Sequence, residues 1–578
     1  MNRQIKFLEK RIKAGRGLTP SDLVLKGGKV INVFSGETIE CDVAVQGSFI
    51  VGLGADYKGK EVVDVSGKWV VPGLIDAHMH LESTMLLPAN LARALLPHGT
   101  TTIVSDPHEI ANVAGLNGIR FLLKESEFIP LDIYFMAPSC VPATTLETSG
   151  AKIGISELRM LKKEPRVLGL AEMMNYPGVL AGEEDVLKKL SLFADSVIDG
   201  HAPLLKGYDL QGYISAGMRS DHETSGQNEA MEKLRSGMMI MIREGTSARN
   251  MDELLPLVSK SNEGRFCFVS DDLHPHDIHQ RGHLDYMLRR AIEYGLDAAT
   301  AVKLASLNPA RYFGLKYKGA VAPGYQADLV VLNDLELFSV EKVYKEGRLV
   351  AENGVALDFA VKIKALAKCL RPIRLASIKP DRFQIRRQGQ KARVIQLVPG
   401  QIHTRLLQAD VKTDNGLVQS DSEADILKVA VLERHHGSGR IGLGLVRGFG
   451  LKKGALASSV AHDSHNIVCV GVEDEDMFCA IKELKRIGGG MVAASQGRVL
   501  ASVPLGVAGL ISTEPLEDLV PKLEKLNRAA ISLGCSIADP FMYLSFLALP
   551  VIPEVRITDR GLVDVGKFAL VSLFFDEG

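Results

Sequence analysis

The spacing of hydrophobic positions changes character several times along the chain. In MNRQIKFLEKRIKAGRG, Ile5, Leu8 and Ile12 recur at helical spacing, which predicts a short amphipathic helix within residues 1–20. From 21 to 70 the period shortens to strand-like runs (DLVLKGGKVINVFSG, DVAVQGSFIVGLG, KEVVDVSGKWVV). Gly27, Gly28, Gly36, Gly47 and Gly54 punctuate them, as in a small antiparallel sheet. Between 71 and 311, apolar runs of strand length alternate with helical segments such as GEEDVLKKLSLFA and MDELLPLVSK. Eight strand candidates occur: KWVVPGLIDAHMH, TTTIVSDPH, LDIYFMAPS, RVLGLAEMM, SVIDGHAP, GMRSDHE, GMMIMIREGT and RFCFVSDD. Strands that are apolar on both faces, separated by helices, imply parallel βα units. Eight of them over about 240 residues match the size of a (β/α)8 barrel.

Residues 312–368 return to the first style, in GAVAPGYQADLVVLNDLELFSVEKVYKEGRLV. These strands are expected to complete the sheet begun at residue 21, so that the barrel is inserted in a discontinuous small β-sandwich domain. From 369 to 578 the chain mixes strands, two glycine-rich stretches (VRGFGLKKG and KRIGGGMVAA) and helices such as DMFCAIKELKRI. That reads as a separate α+β domain. The fold class is α/β.

Composition narrows the partners. Lys+Arg is 68 against Asp+Glu 69, a net charge of −1, so the overall balance suggests neither nucleic acid nor an anionic membrane as a partner. The longest apolar stretch, 541–555, is broken by Pro550 and Pro553 and falls short of the roughly 18–20 residues of a spanning helix. The N-terminal segment lacks the apolar core of a secretory signal. The seven cysteines (41, 140, 267, 369, 469, 479 and 535) include no CxxC, which fits buried thiols in a reducing cytoplasm. A small-molecule substrate is expected, and a symmetric homodimer is the commonest assembly.

Active sites of such barrels lie at the C-terminal ends of the strands. There the chain places His78 and His80, Glu172, His201, His222 and Asp271. His78 and His80, two apart on one strand, share a face. Singly, a strand-end histidine is more often a hydrogen-bonded structural residue. Together, four imidazoles and two carboxylates exceed the needs of one tetrahedral ion and suit two divalent ions bridged by a carboxylate and a hydroxide.

Weaker candidates surround this set. Asp106, His108 and Glu109 follow the second strand, either as pocket or ligand-orienting groups, or with Asp106 simply opening a helix before Pro107. His274, His276, His279 and His283 suggest a polar lid. Arg219, Ser270 and Asp272 are candidates for reading the substrate's edges. In the last domain, His435-His436 and His462, Asp463 and His465 stand out, either reaching the barrel mouth or forming a buried turn. VRGFGLKKG lacks the order of a phosphate loop.

PGLIDAHMHLE, the TT-apolar strand, the strand-end histidines and the final aspartate together resemble the amidohydrolase superfamily. SDPHEIANVAG, GLAEMMNYPGVL, DGHAP, SDHE, SDDLHPHDI and the C-terminal VAHDSHNIV are similar to its bacterial adenine deaminase branch, and the resemblance covers nearly the whole chain. It implies that His78 and His80 hold one ion with Asp271 close by, that Glu172 bridges, and that His201 and His222 complete the second. It implies manganese, with iron or zinc as alternatives. The implied reaction is hydrolytic deamination of adenine to hypoxanthine and ammonia by a metal-bound hydroxide attacking C6. Asp271 would carry the proton, and Glu223 is a candidate for protonating the ring. The zinc deaminase signature PCxxC is absent from the sequence. Two other readings are another cyclic amidine or amide (guanine, imidazolone or dihydropyrimidine type) as substrate, and a metal-free scaffolding relative.

Overall fold

The computed structural model describes residues 2–361, 370 and 373–575. Cys369 and the expected boundary at 368/369 lie outside the described residues. The N-terminal helix forms over Asn2–Gly15. Ile5, Leu8 and Ile12 face solvent rather than a core. The helix docks instead through fully buried Ala14 and through Arg11 stacked on Phe49.

Strands β1 (Ser21–Ile31), β2 (Thr38–Gln46), β3 (Phe49–Gly54), β4 (Gly59–Asp64) and β5 (Trp69–Pro72) join β14 (Leu329–Asp334), β15 (Ser339–Lys345), β16 (Arg348–Glu352) and β17 (Val355–Ala356) in one sheet. Its order is β17-β16-β15-β14-β5-β1-β2-β3, with β4 also on β1. The late strands thus pair with the early ones through β14 and β5. The sheet is not purely antiparallel as expected, because β4 and β5 both run parallel to β1. β4 lies beside Ser21–Lys26 and β5 beside Lys29–Val30, so the two follow one another along the same edge of β1 in one direction.

The run KWVVPGLIDAHMH is two strands. β5 belongs to the sheet, and after Gly73 the chain enters the barrel as β6 (Leu74–Met79). A Cβ on Gly73 would lie 2.3 Å from Thr101 Oγ1, so only glycine fits where the two bodies meet. The remaining barrel strands are β7 (Thr100–Ser105), β8 (Asp132–Ala137), β9 (Val167–Met173), β10 (Val197–Gly200), β11 (Ser220–Asp221), β12 (Met239–Arg243) and β13 (Phe266–Val269). Parallel ladders join β6 through β10 and β11 through β13. The circle closes where Met79 bridges Asp271, and where the Arg219 N–H donates to the Ile198 carbonyl at 3.1 Å. Strand alternation shows in the packing. Met239, Met241, Cys267 and Val269 pack with Ala77 and Val104 in one cluster, while Ile240, Ile242, Phe266 and Phe268 join the larger core.

The C-terminal part is built on an eight-stranded sheet spanning 391–504, with helices Asp474–Ile487 and Leu516–Ser532 packed on it. Among the described residues, no helix is long and apolar enough to cross a membrane.

Candidate metal centre

The six strand-end residues meet in one buried mouth. β6 has an irregular register between Asp76 and Met79, and beyond it the chain clasps the end of β13. Asp271 N–H donates to the His78 carbonyl at 3.0 Å, and His80 N–H donates to the Asp271 carbonyl at 3.3 Å. Asp271 itself adopts a left-handed φ of 53°, an uncommon conformation that aspartate tolerates better than most residues.

Asp271 Oδ1 lies 3.4 Å from His78 Nε2 and 3.1 Å from His80 Nε2. Glu172 Oε1 is 3.4 Å from His80 Nε2. Its Oε2 is 2.6 Å from His201 Nδ1 and 3.2 Å from His222 Nε2. Glu172 thus stands between the His80 side and the His201–His222 pair. Among the groups of described residues whose ligand atoms lie mutually within 4.8 Å are His78, His222 and Asp271, then Glu172, His201 and His222, and also His80 and Glu172 with Asp106 and His108.

The donor chemistry fits cations. His78 Nε2 is buried without a hydrogen-bond partner among the described residues. His80 Nδ1 lies 3.1 Å from the Asp106 carbonyl, an acceptor only. Nδ1 therefore carries the proton, and Nε2 turns its lone pair toward Asp271 and Glu172. Burial opposes the ionisation of Glu172, but His201 and His222 outweigh it and hold the carboxyl well below its usual range. Burial also disfavours a charged His222, yet Glu172 raises it to about 9. A mouth that favours positive charge this strongly favours divalent ions between the same atoms.

Asp106 does not cap the following helix. That helix, His108–Glu125, begins after Pro107 with no side-chain cap. Asp106 Oδ2 instead meets His108 Nδ1 at 3.1 Å, and its carbonyl fixes His80. His108 lies 3.6 Å from Glu172 Oε1 and 3.3 Å from Glu109 Oε1. Ser83 Oγ donates to Asp272 at 2.5 Å, beside His80 and Asp271.

Other expectations are corrected. Ser270 does not face a substrate: its hydroxyl donates to Asp76 at 2.6 Å, beneath the metal-directed residues. Arg219 precedes β11 rather than following it, and it is exposed. Glu223 pairs with Arg243. Burial opposes its ionisation, but Arg243 lowers its pKa, so it is held as a carboxylate, poorly placed to give a proton. The four lid histidines do not act together. His276 and His279 are exposed, whereas His283 is buried against Thr100 and Asp76. His274 faces Asp539 at 3.8 Å across a cavity of about 730 Å³ between the β13 loop and the C-terminal part.

Sequence reasoning overlooked Arg243. It is the last residue of β12 and donates to Asp271 Oδ2 at 2.7 Å while also pairing with Glu223. The C-terminal turn does reach the mouth: His462 Nδ1 lies 2.6 Å from Glu109 Oε1, and His465 Nε2 meets Glu109 Oε2.

An eight-stranded barrel with imidazoles and carboxylates gathered at its strand ends has the build of the metal-dependent hydrolases of the amidohydrolase family, whose profile matches residues 69–350. The adenine deaminase C-terminal domain profile matches 401–569. The chain is 49% identical over 569 residues to the adenine deaminase of Desulfatibacillum aliphaticivorans, covering 97% of this chain and 99% of that protein. It is 48% identical over 572 residues to adenine deaminase 2 of Carboxydothermus hydrogenoformans, covering 98% and 100%. The adenine deaminase of Methanothrix thermoacetophila is 49% identical over 572 residues, again covering 98% and 100%. The chain belongs to the adenine deaminases of the amidohydrolase family.

Proposed function

We propose that the protein hydrolyses adenine to hypoxanthine and ammonia, with His78, His80, Glu172, His201, His222 and Asp271 holding two divalent ions. The observation that carries the metal-dependent chemistry is the convergence of these six side chains on one buried mouth. Full-length similarity to proteins named adenine deaminase supports the substrate. Ions so held would supply an acidified water and polarise the ring. Manganese is the preferred metal, with iron and zinc as alternatives, since a mixed nitrogen and oxygen donor set without thiolate accepts all three.

The residues divide the remaining work. A C6–O bond forms as water adds, and the electron pair of C6=N1 moves to the ring. Asp271 takes one water proton and passes it to N6, the C6–N6 bond breaks as ammonia leaves, and the second water proton ends on N1 as the C6=O of hypoxanthine forms. Arg243 keeps Asp271 and Glu223 ionised between turnovers. Glu223, as a carboxylate, is an acceptor for the amine hydrogens. Asp106 and His108 orient the residues behind His80 and Glu172.

The test is a screen of manganese-loaded protein against adenine, guanine, imidazolones and dihydropyrimidines, following ammonia release and hypoxanthine formation. Turnover of another ring with none of adenine would reject the substrate. A protein free of metal and inert on all of them would revive the scaffolding alternative.

A further inference from the structure

Glu109, His462 and His465 are all buried, with ligand atoms mutually within 4.8 Å. They resemble a further cation site joining the barrel to the C-terminal part. The hydrogen bonds oppose that reading. The Ala461 N–H donates to His465 Nδ1 at 3.1 Å, so Nδ1 holds a lone pair and the neutral ring carries its proton on Nε2. That nitrogen faces Glu109 and has no lone pair left for an ion. The trio is a carboxylate clamped between two imidazoles, and the question becomes what the clamp holds in place.

It holds His462. This residue sits in the turn between strands Ala455–Ser458 and Ile467–Gly471. One ring face stacks on Phe546, with centroids 4.6 Å apart and an interplanar angle of 26°. Its backbone N–H donates to the Ser545 carbonyl at 2.9 Å. Its Nδ1 is engaged by Glu109 at 2.6 Å. Two of these contacts fix the ring and the third fixes its backbone, while Nε2 is engaged by no hydrogen bond within the described residues. The carboxylates near this ring are Glu109, Asp463 and Asp272, the last at the end of β13 beside His80 and Asp271. Burial disfavours a charged His462, but Glu109 outweighs it and raises the ring to about 9. With Nδ1 given to Glu109, the second proton sits on Nε2.

We propose that His462 is a catalytic residue supplied by the C-terminal part, its Nε2–H donating a hydrogen bond to a ring nitrogen of the purine. This inference rests on adenine as the substrate. A neutral purine offers N1, N3 and N7 as acceptors, and the ring gains electron density as water adds to C6. A fixed donor at the mouth holds the ring and becomes more favourable as that density grows. It also gives the C-terminal part a chemical task at the barrel mouth.

The experiment compares wild-type holoenzyme with His462→Ala and His462→Leu. The leucine variant keeps a side chain against Phe546 but has no donor, so a folding loss in the alanine variant does not decide the matter. Metal content and melting temperature are measured first. Inhibition constants against adenine turnover are then determined for 1-, 3- and 7-deazaadenine, each lacking one ring acceptor. In wild type, one analogue should bind about tenfold more weakly than the other two, a buried donor being left unpaired. In a folded, metal-replete variant kcat/KM for adenine should fall by about 100-fold, and that discrimination should shrink to less than about twofold. Unchanged discrimination, or kcat/KM within about threefold of wild type, would overturn the proposal. Wild type inert on adenine would reject the substrate instead, a separate outcome.

Discussion

The Arg243 guanidinium donates to Asp271 Oδ2 at 2.7 Å and also grips Glu223. One cation thus serves two carboxylates of the mouth. Burial opposes the ionisation of Asp271, but Arg243, with His78 and His80, outweighs it and holds the carboxyl well below its usual range. The proposed role needs Asp271 ionised, so activity should fall only when pH drops through that depressed value. Arg243→Met removes the largest lowering influence and should move the acidic limb of the kcat/KM profile upward, by about one unit or more. Arg243→Lys should sit between, because one ammonium cannot reproduce the forked contact. An acidic limb that stays put would remove Arg243 from this role.

Asp271→Asn separates proton transfer from ligation. Arg243 still holds the side chain and the β6 backbone holds the main chain, but the amide cannot take a proton. Turnover should fall by about a thousandfold, while elemental analysis finds metal content nearly intact. Activity close to wild type would sink the proton-carrier role.

Metal content also tests the two clusters against each other. Glu172 touches His80, His201 and His222, so Glu172→Gln should lose metal from both proposed positions. Wild type should hold two ions per chain, and His465→Ala should hold the same number, because the Glu109 cluster is a hydrogen-bonded clamp. A third ion in wild type that disappears with His465 would show the tautomer argument to be wrong.

Much of this site was legible because barrel geometry converts sequence order into spatial order. Once eight apolar runs are recognised, a polar residue at the end of each becomes a neighbour of the others, and His78, Glu172, His222 and Asp271 follow directly. Arg243 obeys the same rule at the end of β12. It escaped notice because attention rested on ligand-type residues, whereas the cation that tunes them is no ligand. The division at Gly73 was hidden because an apolar run carries no mark of the sheet it joins. Ser270 and Asp272 are two apart, yet one faces Asp76 and the other Ser83, a choice set by the irregular backbone around Asp271. The approach of His462 to Glu109 spans 353 residues, and no local pattern encodes it.

The seam between sheet and barrel is held by charge. Lys318 and Lys345 both contact Asp132 and Asp328 at 2.5–2.7 Å. Asp328 and both lysines are buried, so each carboxylate oxygen facing this pair is compensated where water is scarce. Burial opposes the ionisation of Asp328, but Lys345 and Lys318 hold its pKa far down. Burial likewise disfavours a charged Lys318, and Asp328 and Asp132 raise its pKa above the ordinary lysine value. The depressed carboxyl contributes stability that is complete above its unfolded pKa of about 3.9 and is lost as pH falls through the folded value. The raised lysine contributes stability that is complete below about 10.4 and is lost as pH rises through its folded value. Asp328→Asn leaves two buried ammonium groups sharing one partly exposed aspartate, and should cost about 3–5 kcal/mol. Calorimetry should find the variant melting several degrees lower across neutral pH. The gap from wild type should narrow in acid, where Asp328 is protonated in both folded and unfolded chains, and again in strong alkali, where Lys318 is neutral in both. Equal melting temperatures at neutral pH would mean that the cluster only breaks even against its desolvation. The seam would then owe its strength to the β5–β14 ladder.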